Sequence, residues 1–188
     1  MSEAATEFRE IGGRFGAVVR GVPADGWDAP TPVDGWAARD VVRHLVEWFP
    51  GFLAGGSDVA LPPVPAVDDD PVAAWESFAA SVQALLDDPA TAGLTFRNRH
   101  TGDLPLPAAV SQFFTADVFM HTWDLARSTG QDDTLDPERC RVMLAGMEPI
   151  EELMRGSGQY GARVPVPDDA DTQTRLLGFI GRDPSWRP

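Results

Sequence analysis

Stretches of helical hydrophobic spacing, separated by proline- and glycine-rich connections, constrain the fold of this chain more than any other feature. The first stretch covers residues 4–20, with apolar side chains at Phe8, Ile11, Phe15 and Val18 or Val19. Alternating strand patterns are nearly absent, and no repeat of solenoid length occurs. The sequence therefore predicts an all-α protein.

The remaining helices are predicted by the same spacing and by proline or glycine near their ends. They cover residues 37–53, 71–87, 108–128 with a stop at Gly130, a fifth within 135–155, and a short one at 171–180. Residues 92–106 are expected to be extended or irregular. A length of 188 residues indicates one domain, 1–188. We expect a four-helix bundle with additional short helices and a proline-rich C-terminal strap.

The composition argues against two classes of partner. All 15 basic residues are arginine, the formal net charge is -14 and the pI is about 4.4. Such an acidic surface repels phosphate backbones and anionic lipid, so neither nucleic acid nor a membrane surface is expected to bind. A single cysteine and an N-terminus that carries charges where a signal peptide is apolar indicate a cytoplasmic protein.

One cysteine and one histidine have side chains that could react, but a core position and a surface position are predicted for them. Cys140 shares a helical stripe with Met143, Leu144 and Met147, so it is predicted to be part of the core and not a nucleophile. His100 lies in the basic segment "RNRHTGDLPLP", where a surface position is favoured over a pocket.

The predicted helices at 37–53 and 108–128 carry the same polar pattern: an acid, a histidine four residues later, and an acid three further on. The two trios are Asp40, His44 and Glu47, and Asp117, His121 and Asp124. At about 100° per residue, each trio shares one stripe of its helix. Polar side chains that project inward from facing helices of a bundle build metal sites.

These residue types suit a divalent ion. Imidazole nitrogen and carboxylate oxygen both ligate zinc, and three protein ligands leave a fourth position for water or substrate. The predicted set is His44, Asp117 and His121, with zinc as the favoured ion. Asp124, Asp40 or Glu47 could then accept the other imidazole N–H. A di-iron centre is disfavoured, because no Glu-x-x-His occurs.

Structural roles stay open for the same side chains. His44 could be a hydrogen-bonded boundary residue, and Asp40 could offset the positive end of its helix dipole. Glu47 could face solvent. Asp124 could form a salt bridge with Arg127, three residues further along the helix.

Three blocks of the sequence resemble one known family. "TPVDGWAARDVVRHLV" is similar to the second-helix motif Gly-Trp-x-x-x-Asp-hydrophobic-hydrophobic-x-His-Leu of the DinB-like superfamily, in particular its actinobacterial branch that includes mycothiol-dependent maleylpyruvate isomerase. "DVFMHTWDLARSTGQDDTLDPE" resembles that branch's fourth-helix signature, and "VPVPDDADTQTRLLGFIGRDPSW" resembles its tail. The blocks occur in the family's order.

The resemblance implies a DinB-type four-helix bundle whose metal is bound at the positions of His44, Asp117 and His121. The isomerase has glutamate where Asp117 stands, one methylene longer. It also carries an additional C-terminal domain that contributes to substrate binding, whereas this chain ends at Pro188. The isomerase reaction itself is therefore not carried over.

The function expected from the resemblance is a metal-dependent transferase or isomerase that uses a low-molecular-weight thiol, mycothiol, as cosubstrate and acts on a small electrophile. The metal would hold the thiol as thiolate. Two other classes stay open. One is a metal-dependent hydrolase with Asp124 or Glu47 as general base. The other is a non-catalytic metal-binding or sensing protein. The sequence also leaves a homodimer open.

Overall fold

A computed structural model describes residues 2–99 and 102–188, and it confirms the all-α prediction. His100 lies outside the described residues. The α-helices are α1 Glu3–Gly21, α2 Ala38–Gly56, α3 Pro71–Asp87, α4 Leu106–Ala109, α5 Ala116–Ser128, α6 Pro137–Met147, α7 Glu151–Gly156 and α8 Thr172–Ile180. None of the helices in the described part is long and apolar enough to cross a membrane.

Helices α1, α2, α3 and α5 form the bundle. Both α1 and α2 pack against α3 and against α5, so each helix of the bundle has two neighbours. Their inner faces bury one hydrophobic cluster, in which Phe49 of α2 stacks on Phe114 with 4.2 Å between the ring centroids. This packing fixes α2 and α5 beside each other, and it is from these two helices that the polar trios project.

Capping residues explain where several helices begin. Asp70 accepts a hydrogen bond from the backbone N–H of Ala73 at 2.9 Å, and Pro71 occupies the first turn, where its missing N–H is not needed. The same arrangement of an aspartate before a proline starts α6 at Asp136 and Pro137. Helix α3 therefore has the bounds that the sequence predicted, 71–87.

The helix predicted at 108–128 is interrupted. Between α4 and α5 lies a π-helical segment, Val110–Thr115, which ends where the Ala116 N–H donates to the Ser111 carbonyl five residues earlier. The helix predicted within 135–155 divides into α6, a 3-10 turn at Glu148–Ile150 and α7, because Pro149 has no N–H for a helical hydrogen bond. Residues 92–106 contain a two-stranded antiparallel hairpin, β1 Thr95–Phe96 with β2 Leu104–Pro105.

A second hydrophobic cluster covers the outer side of α5. Phe119, Met120 and Trp123 of α5 pack there against side chains of α6, α7 and α8. The proline-rich strap lies along α8, where the Val164 N–H donates to the Gly178 carbonyl at 2.9 Å. The C-terminal third of the chain is thereby held against the helix that carries two of the three predicted metal ligands.

Candidate metal centre

The structure brings His44 of α2 together with Asp117 and His121 of α5. One ligand atom from each side chain lies within 4.8 Å of the other two. Asp117 Oδ2 is 3.0 Å from His44 Nε2, and Asp117 Oδ1 is 3.5 Å from His121 Nε2. The three side chains that the sequence singled out as ligands therefore converge on one point between the two helices.

The local structure explains this convergence. Asp117 stands in the first turn of α5, directly after the π-helical segment, and His121 follows one turn later on the same face. The bundle places His44 opposite them. The side chain of His121 is 7 % exposed and that of His44 is 31 % exposed, so the cluster is enclosed on the α5 side and reachable from solvent on the α2 side.

The donor set fits a small divalent ion. Metal–ligand distances of about 2.1 Å in a tetrahedral site separate neighbouring ligand atoms by roughly 3.4 Å. The contacts of Asp117 are close to this value but use different oxygens, 3.0 Å from Oδ2 to His44 Nε2 and 3.5 Å from Oδ1 to His121 Nε2. One ligand atom from each side chain lies within 4.8 Å of the other two, so the side chains must adjust to close around one ion. Two nitrogens and one oxygen form a ligand set that suits zinc and leaves one coordination position open.

Asp124 lies behind His121, away from the other two candidate ligands. Its Oδ2 atom is 2.8 Å from His121 Nδ1, and its side chain is only 1 % exposed. Both of its oxygens also accept hydrogen bonds from Arg182, at 2.8 Å from Nε to Oδ1 and 3.0 Å from Nη2 to Oδ2. The alternative partner, Arg127, forms an ion pair with Asp133 at 2.5 Å instead.

The electrostatics of this pair follow from its burial and its partners. Burial alone would raise the pKa of Asp124, but the hydrogen bond from His121 and the charge and hydrogen bonds of Arg182 lower that pKa below its ordinary value. Burial alone would lower the pKa of His121, but the negative charge of Asp117 and the hydrogen bond to Asp124 raise that pKa above 6.5. Asp124 is therefore a carboxylate at neutral pH.

Asp40 and Glu47, the other two candidates for an outer partner of an imidazole, have contacts elsewhere. Asp40 Oδ2 accepts a hydrogen bond from the Ala37 N–H at 2.9 Å, which caps α2, and its other oxygen pairs with Arg43. Glu47 is exposed and lies 3.9 Å from Arg43. Asp40 is therefore held by the Ala37 N–H and by Arg43, and Glu47 lies beside Arg43.

Two tryptophans that the sequence did not predict as site residues lie at the candidate site. Trp48 Nε1 donates to Asp117 Oδ2 at 3.0 Å. The Trp36 ring stacks on His121, with 5.7 Å between centroids and 17° between planes, and it lies 5.0 Å from the His44 ring. The position of Trp48, four residues after His44, was a usable signal, because it places both side chains on one face of α2.

Arg182 and Tyr160 lie near the site but had no signal in the sequence. The α5 residue that pairs with Arg182, Asp124, is distant from it in the chain, and no spacing rule connects the two. Burial, and then the negative charge of Asp117, raise the pKa of the Tyr160 phenol to about 12. Tyr160 is therefore a neutral hydrogen-bond donor near Asp117 at physiological pH.

Cys140 has the core position that its spacing predicted. It is completely buried beside α8, and burial raises the pKa of its thiol to about 11. A thiol in this state is a poor nucleophile at neutral pH.

Comparison of the sequence with known proteins identifies the family of this chain. The family described as "Mycothiol maleylpyruvate isomerase N-terminal domain" matches residues 8–126, a range that includes His44, Asp117, His121 and Asp124 but not Arg182. Two proteins of Mycobacterium tuberculosis, "Uncharacterized protein MT0763" of strain CDC 1551 / Oshkosh and "Uncharacterized protein Rv0738" of strain H37Rv, are each 32% identical over 180 residues, covering 89% of this chain and 91% of the relative. No solved structure matches the chain significantly. Because the family match covers more than half of the sequence, the chain belongs to the family of mycothiol maleylpyruvate isomerase N-terminal domains.

Proposed function

We propose that the protein binds a divalent metal ion, with zinc favoured, through His44, Asp117 and His121. The observation that carries this proposal is the convergence of the three ligand atoms within 4.8 Å of one another. Asp117 is oriented for the task by Trp48, whose N–H donates to Oδ2 at 3.0 Å, while Oδ1 faces His121. The indole of Trp36 covers the face of the His121 ring and limits the access of water from that side.

The open coordination position supports a reaction of an external thiol, and membership of the family supports mycothiol as that thiol. A bound divalent ion lowers the pKa of a coordinated thiol and stabilises the thiolate at neutral pH. Cys140 does not compete as a nucleophile, because it is buried and the pKa of its thiol is about 11. The partly exposed side of His44 gives a path from solvent to the site.

We therefore propose a mycothiol-dependent transferase or isomerase that acts on a small electrophile in the cytoplasm. In the transferase form, a sulfur–carbon bond forms while a carbon–halogen bond, or one carbon–oxygen bond of an epoxide, breaks and its electron pair leaves with the halide or oxygen. In the isomerase form, the thiolate sulfur adds reversibly to an activated alkene, and the electron pair of the double bond moves to the activating group, which allows rotation about the former double bond. The pair then returns as the carbon–sulfur bond breaks and the thiolate leaves.

Hydrolysis is disfavoured because neither candidate general base is placed for it. Both oxygens of Asp124 are taken by Arg182, one of them also by His121, and the side chain is 1 % exposed. Glu47 faces solvent beside Arg43. A base must lie within hydrogen-bond reach of the water that it deprotonates.

Metal analysis and thiol titration test the proposal together. Purified wild-type protein should contain one divalent ion per chain, and His44→Ala, His121→Ala and Asp117→Asn should lose it. Asp58→Asn is the matched control for Asp117→Asn, because it removes the same charge at an exposed position after α2. Mycothiol should give ultraviolet thiolate absorbance near pH 7 with the metal-loaded protein and none with the metal-free protein.

The outcomes separate the classes. Full metal content in both histidine variants would refute the site. Metal binding without any thiol signal would refute the thiol-dependent enzyme and leave the hydrolase and the metal-sensing protein.

A further inference from the structure

Arg182, in the segment after α8, reaches the candidate metal centre from outside the range matched by the family. Its side chain is only 15 % exposed. The guanidinium forms a two-pronged contact with Asp124, with Nε donating to Oδ1 at 2.8 Å and Nη2 donating to Oδ2 at 3.0 Å. Such paired donors fix the plane of a carboxylate as well as its position, which a single ammonium group does not.

This contact determines what Asp124 can do for His121. An arginine side chain can only donate, so both oxygens of Asp124 act as acceptors. Oδ2, 2.8 Å from His121 Nδ1, therefore accepts from that nitrogen, which must carry a proton. The lone pair of the neutral imidazole is then on Nε2, the atom that lies 3.5 Å from Asp117 Oδ1 in the ligand cluster.

The backbone directly before Arg182 has a conformation that requires glycine at position 181. Gly181 ends α8 with φ +88, and a Cβ at this position would lie 2.9 Å from the Gly161 Cα and 3.0 Å from the Ala162 carbonyl oxygen. The Arg182 N–H donates to the Leu177 carbonyl at 2.8 Å. The strap and the end of α8 together fix the point from which the arginine side chain starts.

We propose that Arg182 is a positioning residue of the metal centre: by holding both oxygens of Asp124 it keeps His121 in the tautomer that offers Nε2 to the ion. This inference rests on the proposed metal site, and it assigns the C-terminal segment after α8 a part in that site. A second interpretation is a buried ion pair that only joins α8 to α5. Buried ion pairs often add little net stability, so joining the helices is a weak reason for this contact.

Metal affinity distinguishes the two interpretations. Arg182→Gln should weaken Zn²⁺ binding by about 10–100-fold, the usual effect of losing an outer partner of a metal ligand. Arg182→Lys keeps the charge but not the two-pronged geometry, and its affinity should lie between those of the glutamine variant and wild type. Arg175→Gln is the matched control, because Arg175 is exposed on α8. Affinities are measured by chelator competition on variants whose helical circular dichroism matches that of wild type.

A double-variant cycle with Asp124→Asn shows whether Arg182 acts through Asp124. If it does, Arg182→Gln should cause almost no further loss of affinity once Asp124 has been replaced. Fully additive losses, or unchanged affinity in Arg182→Gln, would overturn the proposal. If the glutamine variant does not fold, Arg182→Lys replaces it in the cycle with the same criteria.

The tautomer is measured directly on metal-free protein. Long-range ¹H–¹⁵N spectra at a pH where the imidazole is neutral should show His121 protonated at Nδ1 in wild type and in Arg175→Gln, with a smaller fraction of that tautomer in Arg182→Gln. An equal tautomer ratio in all three proteins would overturn the inference. This readout needs no metal, so it stays informative if wild-type protein binds none and the proposed function fails.

Discussion

His121 is the residue whose titration should make the candidate metal centre depend on pH. Its imidazole lies between two carboxylates, Asp117 and Asp124, and they raise its pKa above 6.5 although burial opposes the charged form. The lowered pKa of Asp124 lies below 3.8, so Asp124 stays ionised throughout the neutral range and does not contribute to this titration. Protonation of His121 should therefore raise the stability of the metal-free protein and lower its metal affinity.

The stability of the metal-free protein should fall, and its metal affinity should rise, as the pH increases through the raised pKa of His121. The protonated imidazole contributes stability that is fully present below 6.5 and is lost as the pH rises through the folded-state pKa. An ion that binds Nε2 must displace this proton, so affinity should weaken by about tenfold per pH unit on the acidic side. Urea unfolding of metal-free protein and chelator competition, both between pH 6 and pH 9, measure the two slopes.

His121→Gln provides the control for this titration. Its metal-free form should lose most of the fall in stability seen in wild type with rising pH. A slope equal to that of wild type would assign the titration to another group.

The candidate ligands and the residues around them differ in how far the sequence could predict them. His44, Asp117 and His121 were found because helical spacing is local and the bundle brings α2 and α5 together. Arg182 was not found, because its contact with Asp124 joins positions 58 residues apart through the packing of α8. Contacts that depend on the tertiary arrangement of a turn after a helix have no periodic signature.

At the level of secondary structure, the π-helical segment before α5 is the main feature that periodicity could not predict. A spacing argument assumes 3.6 residues per turn throughout, whereas the wider turn at Val110–Thr115 changes the phase of every residue after it. The prediction that Asp117 and His121 share one stripe of their helix holds because both lie after this segment, within α5. The same assumption failed for the helix within 135–155, which Pro149 divides.

The end of α2 depends on a close contact with the β1–β2 hairpin. Gly56 is buried, and a Cβ at this position would lie 2.3 Å from the Phe96 ring, which is 2 % exposed and stacks on Phe52 at 4.6 Å between centroids. The ring cannot move aside without disturbing this stack. Gly56→Ala should therefore destabilise the protein by about 1–3 kcal/mol, the usual cost of overpacking.

Gly55→Ala, at the preceding position of the same helix, is the matched control. Gly55 is exposed, and nothing lies within 4 Å of the Cβ that it would gain. Its free energy of unfolding should stay within about 1 kcal/mol of wild type, on the stabilising side, because alanine favours helix. Equal losses in the two variants under urea would show that the Phe96 contact is not the cause of the loss in Gly56→Ala.

For the whole molecule, α5 is the central element. Its residues Val118 and Leu125 belong to the bundle core, and Phe119 and Trp123 belong to the second cluster, so the helix is buried on nearly every side. The carboxylate and imidazole side chains of this helix at the candidate site, Asp117, His121 and Asp124, each have at least one polar partner. The candidate metal centre therefore lies where the two hydrophobic clusters meet.

Because these clusters supply most of the stability, the metal-free protein should stay folded, and an ion should add to a stability that already exists. Binding to the folded state alone adds about 2.7 kcal/mol when free metal is at 100 times its dissociation constant. Thermal unfolding followed by circular dichroism should show a helical, cooperative transition without metal and a higher midpoint with Zn²⁺. His44→Ala should keep the first transition, since His44 is partly exposed, and lose the shift, whereas Asp58→Asn should keep both. A metal-free protein without a cooperative transition would mean instead that the ion is required for folding.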